Sequence, residues 1–152
     1  MSELINAVNM NNIDEVEILL ENGMNPNIDR DEDGETALMR AVSNEYYDIA
    51  SFLLSYGADP DIQENTGQTA LIIASSYELY EIVVLLLDND ADPDIIDNTD
   101  YSALLYAIEG EYTSIVFDLL LNGADPNIVT LNQITPLMRA SRLGNSDIVK
   151  IL

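Results

Sequence analysis

Apolar residues in this chain come in short bursts at helical spacing, each followed by turn-forming residues. Leu38, Ala41 and Val42 fall at i, i+3 and i+4, the stripe that one face of a short helix buries. Ile49, Phe52 and Leu53 give a second stripe a few residues on. Thr36 precedes the first and can cap it through its side-chain oxygen. Gly57 follows the second, where a left-handed residue ends a helix. Asp59-Pro60 and Gly67 then carry turn chemistry for an extended, hairpin-like connection. The pattern predicts helix, turn, helix, hairpin, in a unit that cannot bury its own apolar face without stacked neighbours.

That unit recurs. Gly34-Glu35-Thr36-Ala37-Leu38-Met39-Arg40-Ala41 returns as Gly67-Gln68-Thr69-Ala70-Leu71-Ile72-Ile73-Ala74, then from Tyr101-Ser102-Ala103-Leu104 and from Ile134-Thr135-Pro136-Leu137. Thr36, Thr69, Ser102 and Thr135 are spaced by 33 residues. Gly57-Ala58-Asp59-Pro60, Asp90-Ala91-Asp92-Pro93 and Gly123-Ala124-Asp125-Pro126 keep the same 33-residue step, and Gly23-Met24-Asn25-Pro26 precedes them by 34, so one residue is inserted between Asn27 and Gly34. A fixed period of this length is the mark of a repeat array. By phase the units are roughly residues 1–29, 30–62, 63–95, 96–128 and 129–152, one domain over 1–152. The first opens directly on its helix (Ser2, Leu4, Ala7, Val8), as an N-terminal cap would. The last stops at Leu152 inside its second helix, which reads as a truncated cap or as a piece of a longer array.

These residues resemble the ankyrin family, whose Thr-Pro-Leu-His-x-Ala signature survives best as Thr135-Pro136-Leu137-Met138-Arg139-Ala140. The resemblance covers essentially the whole chain. It implies an all-α fold, an ankyrin-repeat solenoid of about four and a half repeats. The signature histidine is replaced by Met39, Ile72, Leu105 and Met138, which keeps the packing and loses a polar tie between repeats. The glycine usual between paired helices appears as Asn11, Glu45, Glu78 and Glu111, and only Gly144 conforms. Non-glycine residues there are strained wherever the backbone needs positive φ, so a less stable array than a consensus one is expected. Asp100 stands where Gly34 and Gly67 stand, so a local difference is expected in the hairpin entering the fourth repeat.

Charge changes the picture next. There are 28 acidic and five basic residues, a net charge of −23. Residues 1–128 hold 27 acidic and two basic side chains, whereas 129–152 hold Asp147 against Arg139, Arg142 and Lys150. Such a surface repels phosphate backbones and anionic lipid and steers basic partners, with an on-rate that falls as salt rises. The same acid also keeps an apolar solenoid soluble. Its polarisation allows head-to-tail self-association through an open contact. Neither nucleic acid nor membrane is expected as a partner. The N-terminus (Met1-Ser2-Glu3-Leu4-Ile5-Asn6) lacks the basic start and apolar run of a signal peptide, and runs such as Ile82 to Leu87 are too short to span a bilayer. A cytoplasmic protein is expected.

Catalytic chemistry finds no support. Without Cys or His there is no thiol nucleophile, His-based triad or Cys/His zinc site. Phosphate loops and nucleophile elbows are absent too, so no enzyme, cofactor or metal is expected. Asp29-Arg30-Asp31-Glu32-Asp33-Gly34 imitates the start of a calcium loop, but the twelfth position, where a bidentate Glu is needed, is Arg40.

In the family, partners bind the concave face made by the hairpin tips and the first helix of each repeat. The corresponding positions here are Glu32, Asp33, Glu35, Ser43 and Asn44, then Asn65, Thr66, Gln68, Ser76 and Tyr77. Asn98, Thr99, Tyr101, Glu109 and Gly110 follow, then Leu131, Asn132, Ile134, Arg142 and Leu143. This face runs from acidic (Glu32, Asp33, Glu35), through Tyr77 and Tyr101, to apolar groups with an arginine (Leu131, Ile134, Arg142, Leu143). Aromatic and apolar groups with Arg are what binding hot spots favour. The leading expectation is a protein-interaction module with its contact centred on Tyr77, Tyr101 and Ile134. The alternative is an acidic neutraliser, an immunity protein or nucleic-acid-charge mimic, of a basic and nuclease-like partner. A third reading is a self-assembling array without an exchangeable partner.

Overall fold

The computed structural model describes residues 2–152; Met1, the first residue of the N-terminal segment, lies outside the described residues. Among the described residues ten short helices follow one another as five antiparallel pairs: α1 Glu3–Asn9 with α2 Ile13–Glu21, α3 Ala37–Ser43 with α4 Tyr47–Ser55, α5 Ala70–Ser76 with α6 Tyr80–Leu87, α7 Ala103–Glu109 with α8 Thr113–Leu121, and α9 Pro136–Leu143 with α10 Ser146–Ile151. Odd-numbered helices stack on odd, even on even, and each pair packs internally, so the molecule has two helical layers. No helix exceeds nine residues, too short to persist alone in water, so stability comes from stacking. No strand forms among the described residues; Ile96 and Ser102 make one isolated antiparallel bridge.

The caps expected from sequence form. The hydroxyls of Thr36, Thr69, Ser102 and Thr135 accept the backbone N–H three residues on, at 3.2–3.4 Å. Ser2 accepts that of Leu4 at 3.2 Å. Leu38, Ala41 and Val42 are buried, as are Ile49 and Leu53, with Phe52 half-buried against them. Met39, Ile72 and Leu105 are fully buried, so the histidine position is filled by packing. Their equivalent Met138 is exposed, since α9 packs only on α7 and α10.

Polar ties between repeats come from elsewhere. In each Asx-Pro-Asx turn the first side chain closes its own turn. The second reaches the next repeat: Asp59 N–H donates to Asn27 at 2.8 Å, Asp92 to Asp61 at 2.8 Å and Asp125 to Asp94 at 2.7 Å. At the hairpin tips Asn65 N–H donates to the Asp33 carbonyl at 3.0 Å and Asn98 to that of Thr66 at 2.9 Å. Their side-chain amides add bonds to the Glu32 and Asn65 carbonyls. Leu131 occupies the next such position and has no amide to offer.

The turns between paired helices need positive φ, and Asn11, Glu45, Glu78 and Glu111 adopt it at 52–61°. A β-carbon in that region costs roughly 1 kcal/mol. We therefore expect Glu45→Gly, Glu78→Gly and Glu111→Gly each to raise stability by about 0.5–1 kcal/mol, read as a higher urea midpoint at unchanged slope.

The hairpin at Asp100 differs locally, as expected, in carrying the Ile96–Ser102 bridge, while its turn closes as its neighbours do. Asp100 takes φ +64°, and its N–H donates to Asp97 at 3.0 Å, as Gly67 does to Glu64 at 2.9 Å and Gly34 to Asp31 at 3.1 Å. Asp tolerates the left-handed region better than most residues, so this turn closes like the others. The inserted residue of the first connection falls between Asn27 and Asp31, since Asn27 aligns with Asp61 in its turn and Asp31 with Glu64 in its hairpin.

One weak point lies in the middle of the array. Ser75 is fully buried in α5, where Val42 and Ile108 stand in neighbouring repeats, and its hydroxyl has no hydrogen-bond partner. Ser75→Ala removes an unsatisfied donor and adds helix propensity. A gain of about 1 kcal/mol is expected by chemical denaturation.

Candidate partner interface

The hairpin tips and the odd-numbered helices form one continuous face. Each hairpin is closed by a side chain that accepts the N–H four residues on: Asp31 from Glu35 at 3.0 Å, Glu64 from Gln68 at 2.9 Å, Asp97 from Tyr101 at 3.1 Å and Thr130 from Ile134 at 3.1 Å. The residue just before each cap (Glu35, Gln68, Tyr101, Ile134) is therefore held at its backbone, and each is half-buried.

The acidic end is less free than the sequence suggests. Arg40 of α3 sits among three carboxylates, its Nη2 at 2.6 Å from Asp31 and 3.8 Å from Asp33, and its Nε at 2.7 Å from Glu35. Glu35 is close to Arg40 yet off the N–H axis, and its Oε2 is buried without a donor. Burial, partly offset by Arg40, pushes the Glu35 carboxyl above its usual range. Burial also works to raise Asp31, but the hydrogen bonds from Arg40 and from the Glu35 and Asp33 backbone hold it below the usual range. Glu32 and Asp33 are exposed and offer their charge to solvent. Glu35 is committed to the hairpin. Asp31, a member of the calcium-loop-like stretch, has both oxygens engaged by Asp33, Glu35 and Arg40.

Tyr101 also differs from a free contact residue. It is half-buried, its hydroxyl donates to Glu109 at 3.1 Å, and its ring meets Tyr106 at 5.3 Å between centroids. Arg139 of α9 pairs with the same Glu109 carboxylate, so Tyr101, Glu109 and Arg139 clamp the fourth repeat to the fifth. Beneath them Asp97, 5% exposed, accepts at Oδ1 from Thr99 N–H, Thr99 Oγ1 and Tyr101 N–H. Its Oδ2 accepts from the Tyr106 hydroxyl at 2.7 Å. Burial alone would raise Asp97; the bonds from Tyr106, Thr99 and Tyr101 lower it on balance. Burial, followed by the facing carboxylates, raises the phenols of Tyr101 and Tyr106. Sequence reasoning missed Asp97, Tyr106, Glu109 and Arg139 as a unit. The signal was the Asp97–Tyr106 spacing of nine, which repeats Asp31–Arg40.

The remaining candidates are open. Tyr77, at the end of α5, is 69% exposed, and Leu131, at the fifth hairpin tip, is 83% exposed. Leu143 is partly exposed, and Arg142 is exposed with no ion-pair partner among the described residues. Ile134 is half-buried. By repeat register Tyr77 and Leu143 flank Gly110, where a β-carbon would overlap the ring of Tyr112. An aromatic and an aliphatic group thus border a position without a side chain. The other four basic residues are engaged: Arg30 by the Gln63 carbonyl at 2.9 Å, Arg40 and Arg139 as above, and Lys150 by Asp147 at 3.1 Å.

No helix among the described residues is long and apolar enough to cross a membrane. The family model for ankyrin repeats matches residues 2–64 and 56–130. An ankyrin repeat protein of fowlpox virus (strain NVSL) is 40% identical over 62 residues, 41% of this chain and 8% of that protein. The 2-5A-dependent ribonuclease of Homo sapiens is 43% identical over 61 residues, 40% of this chain and 8% of that enzyme. Each likeness thus spans under a tenth of a much longer relative. Repeats of this kind mediate protein–protein interaction. With the period, the paired helices, the capped hairpins and the match over residues 2–130 agreeing, the chain belongs to the ankyrin-repeat family.

Proposed function

We propose that this domain grips a partner protein on its hairpin-and-inner-helix face, the concave face of the family, and performs no chemistry of its own. The observation that carries the reading is the pair of large exposed groups, Tyr77 and Leu131, on the candidate face. Leu143 and Arg142 extend the apolar contact, and Glu32 and Asp33 supply charge at the far end. Tyr101, Ile134 and Glu35 act from behind as positioning residues that fix the hairpins. The partner meets the domain in a cytoplasmic setting. The test is capture of partners from source-cell extract on wild-type protein and on Tyr77→Ala/Leu131→Ser, followed by affinity measurement for each captured protein.

A second reading is supported by the unbalanced charge. Four of the five basic groups are already engaged, so most of the 28 carboxylates have no internal counter-charge. A neutraliser of a basic, nuclease-like partner would use them. Affinity falling steeply between low and high salt, with little effect of the double substitution, favours this reading over the first.

A further inference from the structure

A second row of depressions lies away from the hairpin face, along the edge where the paired helices are joined. The first is bounded by Asn11, Ile13, Glu45, Tyr47 and Asp48, and the third by Glu78, Tyr80, Glu111, Tyr112 and Thr113. The central one, about 440 Å³, lies between Glu45, Tyr47, Glu78, Leu79, Glu81 and Ile82. The three are in register because their walls recur with the repeat: Ile13, Tyr47 and Tyr80 each stand two residues past the left-handed turn residue.

The central groove has an apolar floor and a charged rim. Ile82 is buried, Leu79 is half-buried and Tyr47 is partly exposed, so the floor is hydrocarbon and ring. Glu45, Glu78 and Glu81 are exposed above it and take part in no ion pair among the described residues. No Lys or Arg occurs between Arg40 and Arg139, and Arg40 is held at the hairpin. The protein therefore supplies no cation of its own to this edge.

An aliphatic stem ending in a cation matches such a groove, the stem on the apolar floor and the charge among the carboxylates. An apolar or acidic side chain would desolvate those carboxylates without compensation. Stacked helices lie about 8–10 Å apart, and an extended chain in the polyproline II conformation advances about 3.1 Å per residue and returns each third side chain to the same face. One groove therefore corresponds to three residues of an extended partner. We propose that this edge docks an extended protein segment carrying Lys or Arg at every third position, one cationic side chain per groove. The site does not depend on the hairpin face, so one can fail while the other stands.

The probe is a fluorescein-labelled peptide with lysine at every third residue in a Gly/Ser background, read by polarisation at low salt. Comparison peptides carry the same lysines grouped together, or glutamates at the same spacing. Amide shifts of the labelled protein locate the peptide. The spaced-lysine peptide is expected to bind best and to move amides at 45–48, 78–82 and 111–114. Glu45→Gln/Glu78→Gln/Glu81→Gln is expected to weaken it roughly tenfold, and Tyr47→Ala to weaken it at unchanged net charge. Tyr77→Ala/Leu131→Ser is expected to leave it unchanged. Equal binding of grouped and spaced lysines, no loss in the triple variant, or shifts confined to the hairpin face would each overturn the proposal. Thermal unfolding of each variant accompanies the titration, and glutamine retains the backbone demands of glutamate.

Discussion

Asp97→Ala is expected to destabilise the domain by about 3 kcal/mol, more than any surface substitution. The buried carboxylate takes three donors at one oxygen and the Tyr106 hydroxyl at the other. Alanine leaves the Thr99 and Tyr101 N–H groups facing protein without a partner and takes the carboxylate from the Tyr106 hydroxyl. Asp97→Asn keeps the Oδ1 acceptor, loses the charge and puts an amide donor where Oδ2 accepted from the Tyr106 hydroxyl, so about 1–2 kcal/mol is expected at neutral pH. The sign of the pH dependence follows from the lowered folded pKa. Its stabilisation is present above the unfolded value, near pH 4, and is lost as pH falls through the folded value. The gap between wild type and Asp97→Asn should therefore narrow on acidification. Urea denaturation at pH 7 and at about pH 3 measures this; a gap constant with pH would mean the charge contributes nothing.

Tyr77→Ala/Leu131→Ser is expected to lower partner affinity about a hundredfold while leaving the unfolding midpoint nearly unchanged. Neither side chain is buried, so their removal leaves no cavity and orphans no donor. Tyr101→Ala would be a poorer test. It removes the bond to Glu109 and the contact with Tyr106, so a loss of binding there would mix contact with loosening of the junction between the fourth and fifth repeats. Exposed leucine and tyrosine are the groups on this face that a partner can desolvate at least cost.

The difference between these two substitutions marks what the sequence conveys. Periodicity reports which backbone positions are equivalent. Thr36, Thr69, Ser102 and Thr135 therefore read correctly as caps, Gly57 as a left-handed stop, and Glu45, Glu78 and Glu111 as residues in a glycine's place. Tyr77 and Leu131 read as contact positions because they fall where the family meets its partners, and both are exposed. Tyr101 and Glu35 read the same way and are also tied into the fold, by partners at distances the period does not encode. Tyr101 meets Glu109 and, through it, Arg139 of the next repeat, while Glu35 sits beside an arginine five residues on. At Asp100 the departure from glycine leaves the closure of the turn unchanged, and the hairpin around it differs by the Ile96–Ser102 bridge. The grooves of the turn edge were not visible at all, because a depression between repeats belongs to neither repeat alone.

The central claim is that partner binding uses the hairpin-and-inner-helix face. The most direct measurement captures proteins from source-cell extract in parallel on three immobilised forms and quantifies each by mass spectrometry. The forms are wild type, Tyr77→Ala/Leu131→Ser, and Glu45→Gln/Glu78→Gln/Glu81→Gln on the edge where the paired helices are joined. The predicted result is a protein enriched on the wild type, lost on the double variant and retained on the triple variant at both low and high salt. A partner retained on the double variant, or no protein enriched on the wild type over it, would contradict the account.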